Sequence, residues 1–222
     1  MRSFIILSCL AIISGCESLT EDFTINGVEV SREDFEEQTG TGDLPAINED
    51  PVADTVVTRL NDIDASGIAS RSNTAFPAIE AATGEANFTG VLDIETRGVP
   101  GREFNVLSET TIVADFDAAT LSTALGETTI LTSDNETLGS PTTSTLAVTN
   151  GLIGVDRPNS VNFDVNGSVS TENVSITVQS NLEGSFKGTP ILGLIANDNA
   201  AIVIVNGAAS PNASVTIEAL SD

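Results

Sequence analysis

The stretch Val161–Phe186, VNFDVNGSVSTENVSITVQSNLEGSF, contains two runs of period two and none of period 3.6. Val161, Phe163, Val165, Gly167 and Val169 alternate with polar residues. Val174, Ile176, Val178, Ser180, Leu182, Gly184 and Phe186 then do the same. Alternation on this scale describes strands with one face in a core and one in water. Outward from these two runs the pattern repeats. Phe88, Gly90, Leu92 and Ile94 form one stripe, Ile112, Ala114 and Phe116 another, and Val215, Ile217 and Ala219 the last. Turn-forming clusters lie between them at Gly98–Gly101, Ser133–Asn135, Asp156–Asn159 and Asn197–Asn199. The predicted strands are 86–95, 104–116, 119–131, 144–154, 160–169, 173–186, 200–206 and 213–220. Eight antiparallel strands with short connections predict an all-β fold, a single up-and-down β-barrel whose interior the side chains just fill.

The composition narrows the function. In 222 residues there are 8 basic and 32 acidic side chains, a net charge of −24 and a pI near 4.1. Lys187 is the sole lysine, so nucleic acid is excluded as a partner, because phosphate contacts need clustered cations. There is no His, Trp or Tyr, which removes the commonest general base and the commonest metal ligand. A membrane-spanning barrel needs aromatic girdles around an outward apolar band, and the absence of Trp and Tyr argues against one. Hydrophobic residues at 40% are enough to bury a core.

The N-terminus predicts where the chain goes. Arg2 precedes the apolar run Phe4–Ile13, whose ten residues would span about 15 Å as a helix, roughly half a bilayer core. That is the size of a secretory signal core and too short for a transmembrane anchor. Ile13-Ser14-Gly15-Cys16 follows and resembles the bacterial lipobox. The expectation is cleavage after Gly15, with Cys16 carrying S-diacylglycerol and an N-acyl chain such as palmitate. Two or three chains anchor stably where one does not. Cys9 leaves with the signal peptide, so no thiol remains for a disulfide, a metal or catalysis. Loss of Arg2 moves the mature charge to about −25, and a body this acidic stands off anionic headgroups. Glu17 after the cysteine favours the outer membrane by analogy with enteric sorting, where Asp in that place signals retention.

Four segments are expected: the signal peptide 1–15; the lipidated cysteine and an acidic flexible tether, 16–55; an approach segment with a short helix and turns, 56–83; and the barrel, 84–222. The tether carries acids from Glu17 to Asp54 against Arg32 alone, and like charges extend a chain. A short helix or a strand at Thr24–Val30 is the alternative there. Asp62-Ile63-Asp64-Ala65-Ser66-Gly67 opens like a calcium loop, with acids at positions 1 and 3 and glycine at 6. Position 12 is Asn73 where a bidentate acid is required, so a solvated acidic turn is the better reading.

Three stretches carry a resemblance. Thr83–Gly90 (TGEANFTG), Thr111–Leu121 (TIVADFDAATL) and Glu183–Gly188 (EGSFKG) are similar, in order and spacing over about 84–207, to the barrel domain of small lipoproteins of the transferrin-binding protein B family. The late hairpin departs from that pattern: its aromatic pair is reduced to Phe186-Lys187 and its proline is displaced to Pro190. The resemblance implies an eight-stranded barrel on an outer-envelope lipoprotein. It does not imply transferrin binding, which in larger members sits on loops and a handle domain that this chain is too short to carry.

No enzyme is expected. Lys187 is the one candidate base for a nucleophile, and alternation after Phe186 turns it toward solvent. Paired carboxylates for glycoside chemistry would lack Trp or Tyr to hold a sugar. No cofactor, metal or small-molecule substrate is indicated. The expectation is a binding or accessory protein, anchored in the cell envelope through Cys16 and meeting a protein partner through barrel-end loops. A purely structural envelope protein is the alternative, and a calcium-binding surface protein a weaker one. The loops are 96–103, 132–143, 155–160 and 187–199. In the last, apolar Thr189–Ile195 is read as packed inward, as core or plug, in preference to an exposed patch.

Overall fold

The computed structural model describes residues 51–98, 103–132 and 137–222, together with two short strands, β1 (Phe23–Ile25) and β2 (Val28–Val30). The chain divides into two units, Met1–Asn48 and Glu49–Asp222. In the first, β1 and β2 pair antiparallel with Phe23 opposite Val30, so the strand alternative within the expected tether is the one found. The signal peptide, Gly15 and Cys16 lie outside the described residues.

The second unit begins with helix α1 (Pro51–Ser66), where the sequence suggested spacer to residue 55 and an acidic turn at 62–67. Proline suits the first helical turn, and Asp54 there meets the positive end of the helix dipole. Val56, Leu60 and Ile63 fall at i, i+4 and i+7 on one face. Ser66 Oγ donates to the Ile63 carbonyl at 2.6 Å. Gly67 ends the helix in the left-handed region, with φ 65° and its N–H on the Asp64 carbonyl. A 3₁₀ turn (Ile68–Ser70) and a short helix α2 (Phe76–Glu80) follow, and Ile79 of α2 joins the interior core.

The strands are β3 (Glu85–Glu95), β4 (Phe104–Asp115), β5 (Thr120–Thr132), β6 (Thr137–Gly139), β7 (Thr143–Ser144), β8 (Ala147–Ile153), β9 (Ser160–Ser170), β10 (Ser175–Lys187), β11 (Gly193–Asp198), β12 (Ile202–Val205), β13 (Ala208–Ala209) and β14 (Ser214–Ser221). The closed ring runs β3-β4-β5-β8-β9-β10-β11-β14 and back to β3, antiparallel at every joint. This is the eight-stranded up-and-down barrel the alternation predicts. One member differs. The expected strand 200–206 is the half-strand β12, and β11, inside the expected loop 187–199, takes the place in the ring. β10 is long enough to serve both: Ile176–Gln179 pairs with β12 and Glu183–Lys187 with β11.

The inner stripes are those expected. Phe88, Leu92, Ile94, Ile112, Phe163, Leu182, Phe186 and Ile217 are buried in one cluster, and the Phe186 ring lies 5.8 Å from that of Phe88 and 5.5 Å from that of Phe116. Gly184 sits in this stripe because β11 crosses so closely that a Cβ would collide with the Ile195 carbonyl oxygen.

A second apolar cluster lies outside the ring. Val91, Leu107 and Leu131 point outward from β3, β4 and β5 and are buried against Val56, Ile63 and Ile68, with Leu192, Ile195 and Leu220 packed alongside. Helix α1 thus lies on the wall of β3, β4, β5 and β14. Of the segment Thr189–Ile195, Thr189 and Pro190 are exposed and the rest is packed: Leu194 enters the interior, while Leu192 and Ile195 join the outer cluster. Beside them Asp93 has an oxygen, Oδ1, closed off without a hydrogen-bond partner. Burial, with repulsion from Glu95, Glu218 and Asp64 against the pull of Arg97, pushes its carboxyl from 3.8 up to about 7.

Candidate functional site

Antiparallel register places β9, β10 and β11 side by side with their polar faces outward. Asn162 stands opposite Glu183, Asp164 opposite Asn181, Ser160 opposite Ser185 and Asn197 opposite Glu183 on the other flank. Directly opposed residues in a sheet hold their Cβ atoms about 5 Å apart, so these side chains form a continuous polar surface. The strands themselves are rigid, because their inner residues Val161, Phe163, Leu182 and Phe186 are locked in the core.

Two segments wall this surface at one end. Residues 72–74 are stitched to the end of β10: Gly188 N–H donates to the Ser72 carbonyl and Thr74 N–H to the Phe186 carbonyl, each at 2.9 Å. Asn73 Oδ1 accepts from Ser185 Oγ at 2.9 Å and from Lys187 Nζ at 2.8 Å. The β8–β9 turn forms the other wall. Ser160 Oγ accepts from the N–H groups of Asp156 and Arg157 and donates to the Arg157 carbonyl. Buried Asn159 ties both walls together, its Nδ2 donating to the Thr74 carbonyl at 2.8 Å. Between the walls lies a cavity of about 240 Å³ lined by Asn73, Asp156, Arg157, Asn159, Asn162 and Glu183, with Ser160, Gly184 and Ser185 at its floor. A second, shallow and broadly open to solvent, about 540 Å³, lies next to it between Asn181, Glu183, Asn197, Asp198 and Asn199. Glu183 belongs to both, which makes one groove across three strands.

The electrostatics of the groove are quieter than its acids suggest. Asn150 and Asn181 donate to Asp164 at 2.6 and 2.8 Å, and these bonds hold its carboxyl below the usual range. Asp198 accepts from Ser180 Oγ at 2.8 Å and from Ala200 N–H at 2.7 Å. Asn162 Oδ1 is shut off from solvent with no partner, which is costly for a buried acceptor. Among the described residues no group of three or more acids, histidines or cysteines is placed to hold a metal ion. The arrangement positions amides, hydroxyls and a carboxylate for hydrogen bonding.

The residues singled out from sequence fall in scattered places. Asp62 and Asp64 are exposed on α1 in helical backbone, so neither the calcium loop nor the acidic turn forms. Asn73, the failed position 12 of that loop, is instead a wall of the groove. Lys187 does face outward, but it is half-buried and bonded to Asn73 rather than free in solvent. The four expected loops do not share a surface. Turns 155–160 and 188–192 lie at one end of the barrel, and the described parts of 96–103 and 132–143 at the other. Asn162, Asn181, Glu183 and Asn197 went unnoticed because outward polar residues on strands look like ordinary solvation. The signal was the repeated asparagine, which strands otherwise avoid.

What the fold and the groove define is a class: an eight-stranded barrel closed on an apolar core, with a polar groove on its outer wall. No family model and no curated protein matches this chain.

Proposed function

We propose that this chain is a lipid-anchored, non-catalytic binding protein of the cell envelope, held to the outer membrane through Cys16 and presenting the barrel groove to its ligand. The observation that carries this reading is the lipobox Ile13–Cys16 on a chain whose folded domain has a two-cavity polar groove. The likeness of Thr83–Gly90 and Thr111–Leu121 to envelope lipoproteins of the transferrin-binding protein B family supports the setting. The walls of β9 and β10 are apolar inside and polar outside, opposite to what lipid would require of a spanning barrel.

Metabolic labelling with palmitate in a Gram-negative host tests the anchor. The natural chain takes up label and Cys16→Ser does not; label on both, or on neither, overturns the reading. Trypsin applied to intact and to permeabilised cells, with C-terminal detection, then separates a surface location from a periplasmic one.

A further inference from the structure

We propose that the groove across β9, β10 and β11 takes a neutral, hydroxyl-rich oligosaccharide, held edge-on by side-chain amides and by Glu183. This deepens the binding reading above and rests on it. A side-chain amide both donates and accepts, as a sugar hydroxyl does, and the two cavities are lined by Asn73, Asn159, Asn162, Asn181, Asn197 and Asn199. Glu183 is exposed between the two cavities, and its carboxylate makes no hydrogen bond among the described residues and offers acceptors to both.

Charge selects among polar ligands. Asp156, Glu183 and Asp198 outnumber Arg157 along the groove, on a chain of net charge −24, so phosphates and acidic sugars are repelled. A basic peptide is drawn by the same charge, and the oligolysine arm of the test separates it; the lining favours a sugar, with six asparagine amides against the three carboxylates of Asp156, Glu183 and Asp198. No aromatic ring lines either cavity, so a sugar is gripped at its hydroxyl edges rather than stacked by its face. Such contacts are individually weak, and the shared Glu183 lets one longer chain engage both cavities at once.

The test presents the purified full chain to an array of neutral, sulfated and sialylated oligosaccharides, with an oligolysine peptide alongside. Neutral oligosaccharides are retained, and longer ones bind more tightly than monosaccharides. Asn162→Ala and Glu183→Ala each weaken binding about tenfold, the net loss of one or two hydrogen bonds. Thermal unfolding of the variants matches the natural chain, and the side-chain amide resonances of the groove asparagines shift on titration with the retained sugar. Preference for sulfated or sialylated glycans, preference for oligolysine, or neutral binding unchanged by both substitutions overturns the proposal, as does no retention at all. Failure here with intact palmitate labelling of Cys16 sinks the ligand alone. Retained sugar on an unlabelled chain sinks the anchor alone.

Discussion

On the outside of this barrel, two stretches of one wall use the same strand geometry to opposite ends. Over β14, β3, β4 and β5 the outward residues include Leu220, Val91, Leu107 and Leu131, and α1 covers them. Over β8, β9 and β10 they include Asn150, Asp164, Asn162, Asn181 and Glu183, and no helix among the described residues lies on them. Both stretches share the interior core. The covered half turns outward residues into stability, while the open half uses a wall already rigid from within to hold polar groups in register. Polar side chains free of packing duties therefore concentrate where the fold needs the outer face least.

The largest effect belongs to the shared interior. Phe186 is fully buried beneath both walls of the groove, so Phe186→Ala is expected to cost about 3–5 kcal/mol in chemical denaturation. A loss under about 1 kcal/mol would mean that the interior does not support the open half.

Next comes the acidic spot on the covered half. The folded-state pKa of Asp93 is raised to about 7 from 3.8, by burial first and by Glu95, Glu218 and Asp64 after it, with Arg97 opposing. Burial also raises the carboxyl of Glu218, with Asp64 adding to it. The native chain therefore holds the Asp93 proton over a range where the unfolded chain has released it. The contribution is fully present below pH 3.8 and is lost as pH rises through about 7. Denaturation midpoints should fall between about pH 4 and pH 7, and Asp93→Asn should flatten that slope and stabilise the chain at pH 8 by roughly 2–4 kcal/mol. A slope unchanged in Asp93→Asn assigns the pH dependence to another group.

The smallest effects sharpen the contrast directly. Ile63→Val, under α1, is expected to cost about 1 kcal/mol, and Asn181→Ala, in the groove, less than about 0.5 kcal/mol. Comparable losses would show that the groove is structural.

The same contrast explains what could be read in advance. The inner stripes were legible because period two survives wherever one face is buried and the other wet, as in β9 and β10. β11 was not, because Leu194 faces the interior while Leu192 and Ile195 face the outer cluster; burial on both sides erases alternation and leaves an apolar run that reads as a loop. A short helix was expected within 56–83, but the length of α1 and its start at Pro51 were not legible, for a related reason. Its apolar face is narrow, partly β-branched, and set among the acids that suggested a spacer. The groove was hidden because outward asparagines on strands read as ordinary solvation until register places Asn162 against Glu183.

The route by which the chain enters the barrel has a mechanical side. Residue 51 opens α1, which lies on the wall; Ile68 then seats against Gly193, Thr74 bonds to the end of β10, and Ile79 plugs into the core, all before β3 begins. A pull arriving from the N-terminal side must peel these attachments one after another before β3 is drawn out of the ring. The helix and its followers act as strain relief, and the Asn73 wall of the groove lies on the same cord, so tension would alter the groove before it threatened the barrel.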